Sequence, residues 1–187
     1  MVLSSLTLQN FRSYTKKTFA FSPNTTLIAG PNTAGKTNIL EAIYMMATGK
    51  SFRAEQDREV IRWEAELARV RAIISNIQYP ISNIEKDETE LETVLTRGEV
   101  QGAHAPLKKY LVNGVARRMI DFVGNLRVVL FWPEDLELVT DSPSLRRRYL
   151  DSVLVQVDRE YRRNLLSYER GLRQRNRLLD FINEGTA

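Results

Sequence analysis

Hydrophobic and polar residues alternate near the start of the chain, which is the pattern of a strand with one buried face. Leu6, Leu8 and Phe11 fall to one side, and the residues between them are mostly polar. Residues 10–14 have the composition of a turn, and residues 17–21 resemble a returning strand. The pattern therefore predicts two antiparallel strands before any other element.

An apolar run and a helical pattern follow these strands. Residues 25–29 are mostly apolar and predict a short buried strand, while residues 38–48 place apolar side chains at helical spacing. The helical set is Ile39, Ala42, Ile43, Met46 and Ala47. A strand, a connecting loop and a helix are thus predicted in that order.

The loop between this strand and this helix carries the strongest chemical signal of the chain. It matches the phosphate-binding pattern G-x-x-x-x-G-K-[ST] at every required position. The matching residues are Gly30, Pro31, Asn32, Thr33, Ala34, Gly35, Lys36 and Thr37. In a strand–loop–helix, the loop amides and the helix dipole converge on one anion. Lys36 is then expected to reach the β- and γ-phosphates, and the Thr37 hydroxyl to hold Mg²⁺.

Thr33 is an unusual residue for its place in this loop. A positive φ is often needed at this position, and a β-branched residue is strained there. Two alternatives stay open on the sequence: Thr33 adopts an ordinary conformation, or nucleotide affinity is reduced.

The middle of the chain predicts further β structure. Residues 68–74 and 93–97 resemble strands, and the acidic stretch 84–92 resembles a solvated turn. Asn113-Gly114 lies between two short apolar runs, which is the strongest hairpin signal in the chain.

Residues 126–135 resemble a Walker B strand, because four apolar residues precede the acidic pair Glu134 and Asp135. We reject this interpretation. Trp132-Pro133 places both carboxylates beyond the strand end, where a helix start is expected. A role for Glu134 or Asp135 in a water-organising loop is the weaker alternative.

The chain is predicted to be helical from Ser144 onward. Apolar residues recur at multiples of seven in two rows: Leu154, Tyr161, Tyr168 and Ile182, then Leu165, Leu172 and Leu179. The net charge of +4 is concentrated here, because residues 144–179 hold ten Arg, no Lys and four acidic residues. These arginines predict either a solvated helix face or contacts to nucleic-acid phosphates.

The composition excludes several classes of protein. The chain has 187 residues and no cysteine, so disulfides, thiolate metal sites and a cysteine nucleophile are excluded. No run approaches the roughly 18 apolar residues of a membrane span, so no membrane association is expected. A cytoplasmic location is compatible with this composition.

Several blocks together resemble the RecF family of bacterial DNA recombination and repair proteins. Besides the loop, they are Leu6-x-Leu8-x-Asn10-Phe11-Arg12-Ser13-Tyr14, Thr37–Tyr44, Gly49-Lys50-Ser51-Phe52-Arg53, Tyr110–Gly114, Phe131–Leu136, Ser142–Asp151 and Tyr168 with Gln174–Leu179. The resemblance implies an α/β fold: a P-loop NTPase of the ABC/SMC-head type with an antiparallel β-lobe, followed by part of a helical arm. It implies part of the head in residues 1–133 and the first part of the arm in residues 134–187.

The resemblance also implies a function for a longer protein. Such proteins bind ATP and Mg²⁺, form ATP-dependent homodimers and bind double-stranded DNA near single-strand gaps, with RecR and RecO as partners. The Walker B Asp-Glu pair, the signature segment and the switch histidine are not found in this sequence. We therefore expect these residues to be the N-terminal half of a longer chain, with core strands missing and ATPase activity only in the longer form.

Within the loop, Lys36 is the expected catalytic residue. The same resemblance adds two site residues beyond the loop, Arg12 and Arg53, which are expected to approach the nucleotide phosphates. A non-enzymatic DNA- or protein-binding module with a vestigial loop is one alternative. Another P-loop enzyme, such as a GTPase, is disfavoured because no Asn-Lys-x-Asp motif occurs.

Overall fold

A computed structural model describes residues 2–75, 88–131, 133–140 and 143–184. The chain divides into two compact units, residues 1–132 and residues 133–187, which are described separately below. In the part of the chain that the structure describes, no helix is long and apolar enough to cross a membrane.

The first unit is built on a six-stranded antiparallel sheet. Its strands are β1 (Val2–Phe11), β2 (Tyr14–Ala20), β3 (Leu67–Ser75), β4 (Glu88–Thr96), β7 (Lys108–Val112) and β8 (Val115–Arg117). They lie in the order β2-β1-β3-β4-β7-β8. A separate two-stranded hairpin contains β5 (Glu99–Val100) and β6 (Ala103–His104). The predicted opening hairpin and the strand predicted over residues 68–74 are confirmed.

The alternation of apolar residues sets the register of the sheet. Leu6 pairs with Ala72 and Leu8 with Val70, and all four side chains are fully buried. A one-residue slip would expose every one of them, so burial of this face specifies the pairing. Helix α1 (Lys36–Thr48) contributes Met45 and other buried side chains to the same core. The helix predicted over residues 38–48 is confirmed and begins two residues earlier.

Glycines bound α1 at both ends. Gly35 precedes it with φ 92°, and Gly49 follows it with φ 76°, a left-handed conformation that glycine adopts without strain. The Gly49 carbonyl accepts hydrogen bonds from Lys108 Nζ (2.7 Å) and from the Tyr110 hydroxyl (3.2 Å). Burial lowers the pKa of Lys108, which Asp57 opposes, and burial raises the pKa of Tyr110. The end of α1 is therefore fastened to strand β7.

The hairpin predicted at Asn113-Gly114 is confirmed. These residues connect β7 to β8, and their φ angles are 50° and 75°. Positive φ at both central positions is what a two-residue type I′ turn requires.

The strand predicted over residues 25–29 is wrong. This segment has no regular structure, and Leu27 is 88% exposed. A strand needs a neighbour for its backbone hydrogen bonds, and none of the described strands pairs with these residues. The segment contains apolar residues, but apolar composition alone does not supply a pairing strand.

The solvated turn predicted over residues 84–92 is also wrong in its second half. Residues 88–92 belong to β4, and residues 84–87 lie outside the described part of the chain. Glu92 is accommodated in the sheet because Arg71 Nη2 (3.0 Å) and Arg69 Nε (3.2 Å) on the neighbouring strand neutralise it. The strand predicted over residues 93–97 therefore starts earlier, at Glu88.

Short elements connect the sheet to the end of the first unit and begin the second. Helix α2 (Met119–Phe122) follows β8, and residues 127–131 form no strand. A 3₁₀ turn over Pro133–Leu136 leads into α3 (Glu137–Thr140). The helix start expected after Trp132-Pro133 is confirmed.

The second unit contains two longer helices, α4 (Pro143–Val157) and α5 (Arg159–Asn183). The predicted helical segment is thus interrupted at Asp158, whose carboxylate accepts hydrogen bonds from the amides of Glu160 (2.8 Å) and Tyr161 (2.9 Å). This is the N-cap arrangement, which starts α5 directly after α4 ends. The Tyr161 hydroxyl donates to Asp151 Oδ1 (2.5 Å) and holds the two helices together across the break.

Candidate phosphate-binding site

The glycine-rich loop leads from an exposed segment directly into α1. Residues 30–34 are exposed, and Gly35 is partly buried beside the β1–β2 turn. A Cβ atom at Gly35 would lie 2.9 Å from Ser13 Oγ and 2.9 Å from the Tyr14 hydroxyl. Glycine is needed here for its positive φ and for the close approach of the turn.

Lys36 lies over the loop that precedes it. Its Nζ donates hydrogen bonds to the carbonyls of Gly30 and Pro31, both at 2.8 Å. These partners are neutral, so phosphate oxygens can replace them with stronger, charge-assisted hydrogen bonds. The loop thus holds its cation at the N-terminus of α1, where the helix dipole favours an anion.

Thr33 has a φ of 69°, and its hydroxyl donates to the Asn32 carbonyl (2.5 Å). The alternative in which Thr33 keeps an ordinary conformation is therefore wrong. A β-branched residue in this region stores strain of roughly 1–3 kcal/mol. Reduced nucleotide affinity remains a prediction.

Arg12 contacts a buried carboxylate on α1. Its Nη2 lies 2.6 Å from Glu41 Oε1, its Nε lies 3.0 Å from Oε2, and its Nη1 donates to the Glu59 carbonyl (2.9 Å). Glu41 is fully buried, and Arg12 is mostly buried. The guanidinium thereby uses all three of its nitrogens within the protein, and its expected approach to nucleotide phosphates stays a prediction.

Two residues of the 49–53 block approach the same carboxylate. Ser51 Oγ donates to Glu41 Oε1 (2.6 Å), and Arg53 Nη1 lies 3.9 Å from Oε2. Arg53 also donates to Asn38 Oδ1 (3.3 Å), and its side chain is 41% exposed. Arg53 is therefore held more loosely than Arg12 and lies at the first turn of α1.

Glu41 is the residue of this site that the sequence reasoning missed. It joins the β1–β2 turn, α1 and the 49–53 block through Arg12, Ser51 and Arg53. The available signal was a charged residue one turn before Met45, among the mostly apolar buried residues of α1. A buried carboxylate at such a place needs cationic partners.

The β1–β2 turn also contacts the loop and α1 directly. Asn38 Nδ2 donates to Ser13 Oγ (3.0 Å), and the Tyr14 hydroxyl donates to the Ala34 carbonyl (3.4 Å). Burial raises the pKa of Tyr14. The turn therefore supports the phosphate loop from one side.

The donor set of the site fits a nucleotide phosphate with a divalent cation. Amides at a helix N-terminus, a lysine and the hydroxyl of the exposed Thr37 are the groups that such phosphates use. Among the described residues, no cluster of three Asp, Glu or His side chains could hold a metal ion on its own.

Comparison with known proteins identifies the family. Residues 2–136 match the family model of the RecF/RecN/SMC N-terminal domain. The chain belongs to this family. Its curated relatives include the DNA replication and repair protein RecF of Roseiflexus castenholzii, 41% identical over 189 residues, which are 99% of this chain and 48% of that protein. RecF of Herpetosiphon aurantiacus is 44% identical over 96% of this chain and 48% of its own length.

Solved structures of family members agree with the fold. The recombination mediator protein RecF with ATPrS superimposes with a TM-score of 0.80 at 32% identity, over 97% of this chain and 46% of that one. RecF with ATP gives a TM-score of 0.78 at 31% identity, over 96% of this chain and 44% of that one. An SMC ATPase at 24% identity, with a TM-score of 0.58, shares the fold.

These comparisons confirm the expected fold class, a P-loop head of the ABC/SMC type with an antiparallel lobe. The chain spans about half the length of the curated RecF relatives that it matches.

Proposed function

We propose that this chain is the nucleotide-binding portion of a RecF-type, ATP-dependent DNA-binding protein of DNA replication and repair. The observation that carries the proposal is the phosphate loop with Lys36 held at the N-terminus of α1. Support comes from RecF bound to ATP, whose fold matches 96% of this chain. In this proposal, residues 1–133 are part of the ATPase head and residues 134–187 the first part of its helical arm.

Each loop residue has a specific role in nucleotide binding. The amides of the loop and of the first helical turn bind phosphate oxygens, and Lys36 exchanges its carbonyl partners for the β- and γ-phosphates. Thr37 provides a hydroxyl ligand to Mg²⁺, which neutralises charge on the phosphates. Glu41 keeps Arg12 and Arg53 beside α1. The Arg53 side chain is the more exposed of the two.

Family membership supports the wider part of the proposal. ATP joins two heads, the homodimer binds double-stranded DNA near single-strand gaps, and RecR- and RecO-like mediators are its partners in the cytoplasm. The two RecF structures are of a recombination mediator protein in the RecFOR pathway.

ATP hydrolysis is proposed for the longer chain alone. Phosphoryl transfer needs a carboxylate that orients water and groups from an opposing head that stabilise charge on the γ-phosphate. Residues 30–37 bind phosphates but provide neither. The 187-residue chain should therefore turn over ATP no faster than its Lys36→Ala variant.

A non-hydrolysing binding module is the second candidate function. The observation that favours it is the strained Thr33, since a loop under no selection for nucleotide binding can keep such a residue. In this case the chain would bind DNA or protein with a vestigial loop.

Titration of the chain with a fluorescent ATP analogue tests these two functions. We expect Lys36→Ala to weaken binding at least about tenfold, because a charge-assisted contact is removed. Lys17→Ala, which removes an exposed lysine of β2, is the matched control and should bind like the wild type. Equal affinity in Lys36→Ala would contradict the phosphate-loop assignment, and no binding by any of the three proteins would favour the vestigial loop.

A further inference from the structure

The side-chain amide of Asn38 uses both of its polar ends within the protein. Asn38 is the third residue of α1, directly after Lys36 and Thr37. Its Nδ2 donates to Ser13 Oγ (3.0 Å), and its Oδ1 accepts a hydrogen bond from Arg53 Nη1 (3.3 Å). One side chain in the first turn of the helix therefore connects the β1–β2 turn to Arg53.

The Ser13 end of this connection is anchored by other contacts. The Ser13 carbonyl accepts a hydrogen bond from Arg62 Nη1 (3.0 Å), and the Arg62 amide donates to the Asn10 carbonyl (2.8 Å). Ser13 also lies next to the phosphate loop, because a Cβ atom at Gly35 would be 2.9 Å from its Oγ. Asn38 is thus hydrogen-bonded to a turn that is itself fixed in place.

The Arg53 end differs, because its guanidinium is only partly used. Arg53 Nη1 contacts two oxygens, Asn38 Oδ1 and, at 3.9 Å, Glu41 Oε2. In the described ranges of the chain, Nε and Nη2 of Arg53 have no hydrogen-bond partner, and the side chain is 41% exposed. The backbone is held as well, since the Arg53 amide donates to Ser51 Oγ (2.9 Å). Arg53 is therefore oriented through one nitrogen and keeps two nitrogens available for an anion.

A neutral acceptor suits the place that Asn38 occupies. The first turn of α1 contains no acidic residue, so the positive end of the helix dipole is not offset there. A carboxylate at this position would pair with Arg53 and would also repel a phosphate. The amide of Asn38 orients the guanidinium without adding a negative charge.

We propose that Asn38 is a positioning residue for nucleotide binding, which holds Arg53 at the first turn of α1 with two guanidinium nitrogens available to the phosphates. This inference rests on the proposed nucleotide-binding function and adds to it a residue that acts through Arg53. Because the arginine is oriented before binding, less side-chain entropy is lost when it contacts a phosphate. Asn38 therefore contributes to nucleotide affinity only as long as Arg53 is present.

A double-mutant cycle in the full 187-residue chain tests this role, with a fluorescent ATP analogue as the probe. Arg53→Ala should weaken binding about tenfold in the wild-type background, because a charge-assisted hydrogen bond is lost. In the Asn38→Ala background, the same change should weaken binding about threefold or less, since the arginine is no longer oriented. Asn24→Ala removes an exposed asparagine before the loop and is the matched control, in which Arg53→Ala should again weaken binding about tenfold.

Asn38→Asp separates positioning from a role in folding. This variant keeps an oxygen for Arg53 Nη1 but places a negative charge at the N-terminus of α1, which stabilises the helix and opposes a bound phosphate. We expect it to unfold at the same urea concentration as the wild type or a higher one, and to bind the nucleotide at least about tenfold more weakly. Weaker binding together with lower stability would assign Asn38 to folding alone and overturn the proposal.

Three further results would overturn the proposal. Equal losses of affinity from Arg53→Ala in the wild-type and Asn38→Ala backgrounds would show that Asn38 does not act through Arg53. Unchanged affinity in Arg53→Ala, with binding that still depends on Lys36, would show that Arg53 does not contact the nucleotide, and the phosphate-loop assignment would stand. Equal binding by wild type and Lys36→Ala would contradict the proposed function itself, and this inference with it.

Discussion

Arg12 and Glu41 form a two-point ion pair in which the carboxylate is fully buried and the guanidinium is 22% exposed. Their two contacts are 2.6 Å and 3.0 Å long. Breaking such a pair from one side leaves an uncompensated charge in the interior, which is among the costliest single changes in a protein.

We therefore expect Arg12→Ala to lower the free energy of unfolding by about 3 kcal/mol. Arg53→Ala removes a partner that is 3.9 Å away and more exposed, and should cost less than about 1 kcal/mol. Urea denaturation of both variants measures the difference. Equal losses of unfolding free energy in the two variants would show that burial of Glu41 does not depend on Arg12. Such a result would favour the nucleotide-binding role of Arg12.

A pair of substitutions at Thr33 isolates the strain in the loop. Both Thr33→Gly and Thr33→Val remove the hydroxyl that donates to Asn32, but only valine keeps a branched Cβ at the positive φ. Thr33→Gly should be more stable than Thr33→Val by about 1 kcal/mol, as measured by chemical denaturation. If the two variants unfold at the same denaturant concentration, the loop relaxes and stores no strain.

Stability should fall at alkaline pH because of Tyr110. Burial raises the pKa of this phenol above its ordinary value, so the folded chain retains a proton that the unfolded chain releases above about pH 10. The stabilisation is complete below pH 10 and is lost as the pH rises towards the folded-state pKa.

Replacing Tyr110 with Phe should flatten this alkaline loss and cost about 1 kcal/mol at neutral pH, because the hydrogen bond to Gly49 is removed. The measurement is the free energy of unfolding of wild type and variant as a function of pH. Tyr168→Phe, at a largely exposed position, is the control. Parallel pH profiles for wild type and Tyr110→Phe would assign the alkaline loss to other groups.

The arginines of α5 provide a test of DNA contact. Arg163, Arg170 and Arg177 recur every seven residues and are exposed. If this face contacts phosphates, each change to Ala should reduce the slope of log affinity against log salt by about one, in fluorescence-anisotropy titrations of a DNA duplex. Arg117→Ala, an exposed arginine on β8, should leave the slope unchanged. If the salt dependence of DNA affinity is also unchanged in the three α5 variants, this arginine face is solvated and does not contact DNA.

Local sequence patterns predicted the elements that depend on neighbouring residues or on a few required residue types. Leu6 and Leu8 reveal β1 by alternation, and Asn113-Gly114 reveals a hairpin because few residues accept its φ angles. The phosphate loop was readable because its chemistry needs glycine and lysine at fixed spacing.

Elements that depend on residues far away in the sequence could not be predicted from local patterns. Leu27 is apolar but exposed, since composition does not specify a neighbouring strand. Glu92 belongs to a strand because Arg69 and Arg71, about twenty residues earlier, neutralise it. The role of Glu41 likewise follows from Arg12 and Ser51, which the sequence places on either side of it and the fold brings to one carboxylate.

The Gly49 carbonyl has a consequence for motion at the nucleotide site. Because Lys108 and Tyr110 both hold this atom, α1 cannot slide along its axis without breaking two hydrogen bonds to β7. At its other end, Gly35 is closely packed against Ser13 and Tyr14. Helix α1 is therefore held at both ends, by the β1–β2 turn and by β7. Residues 30–34, which are exposed and precede the helix, are the part of the loop that can adjust to a bound phosphate.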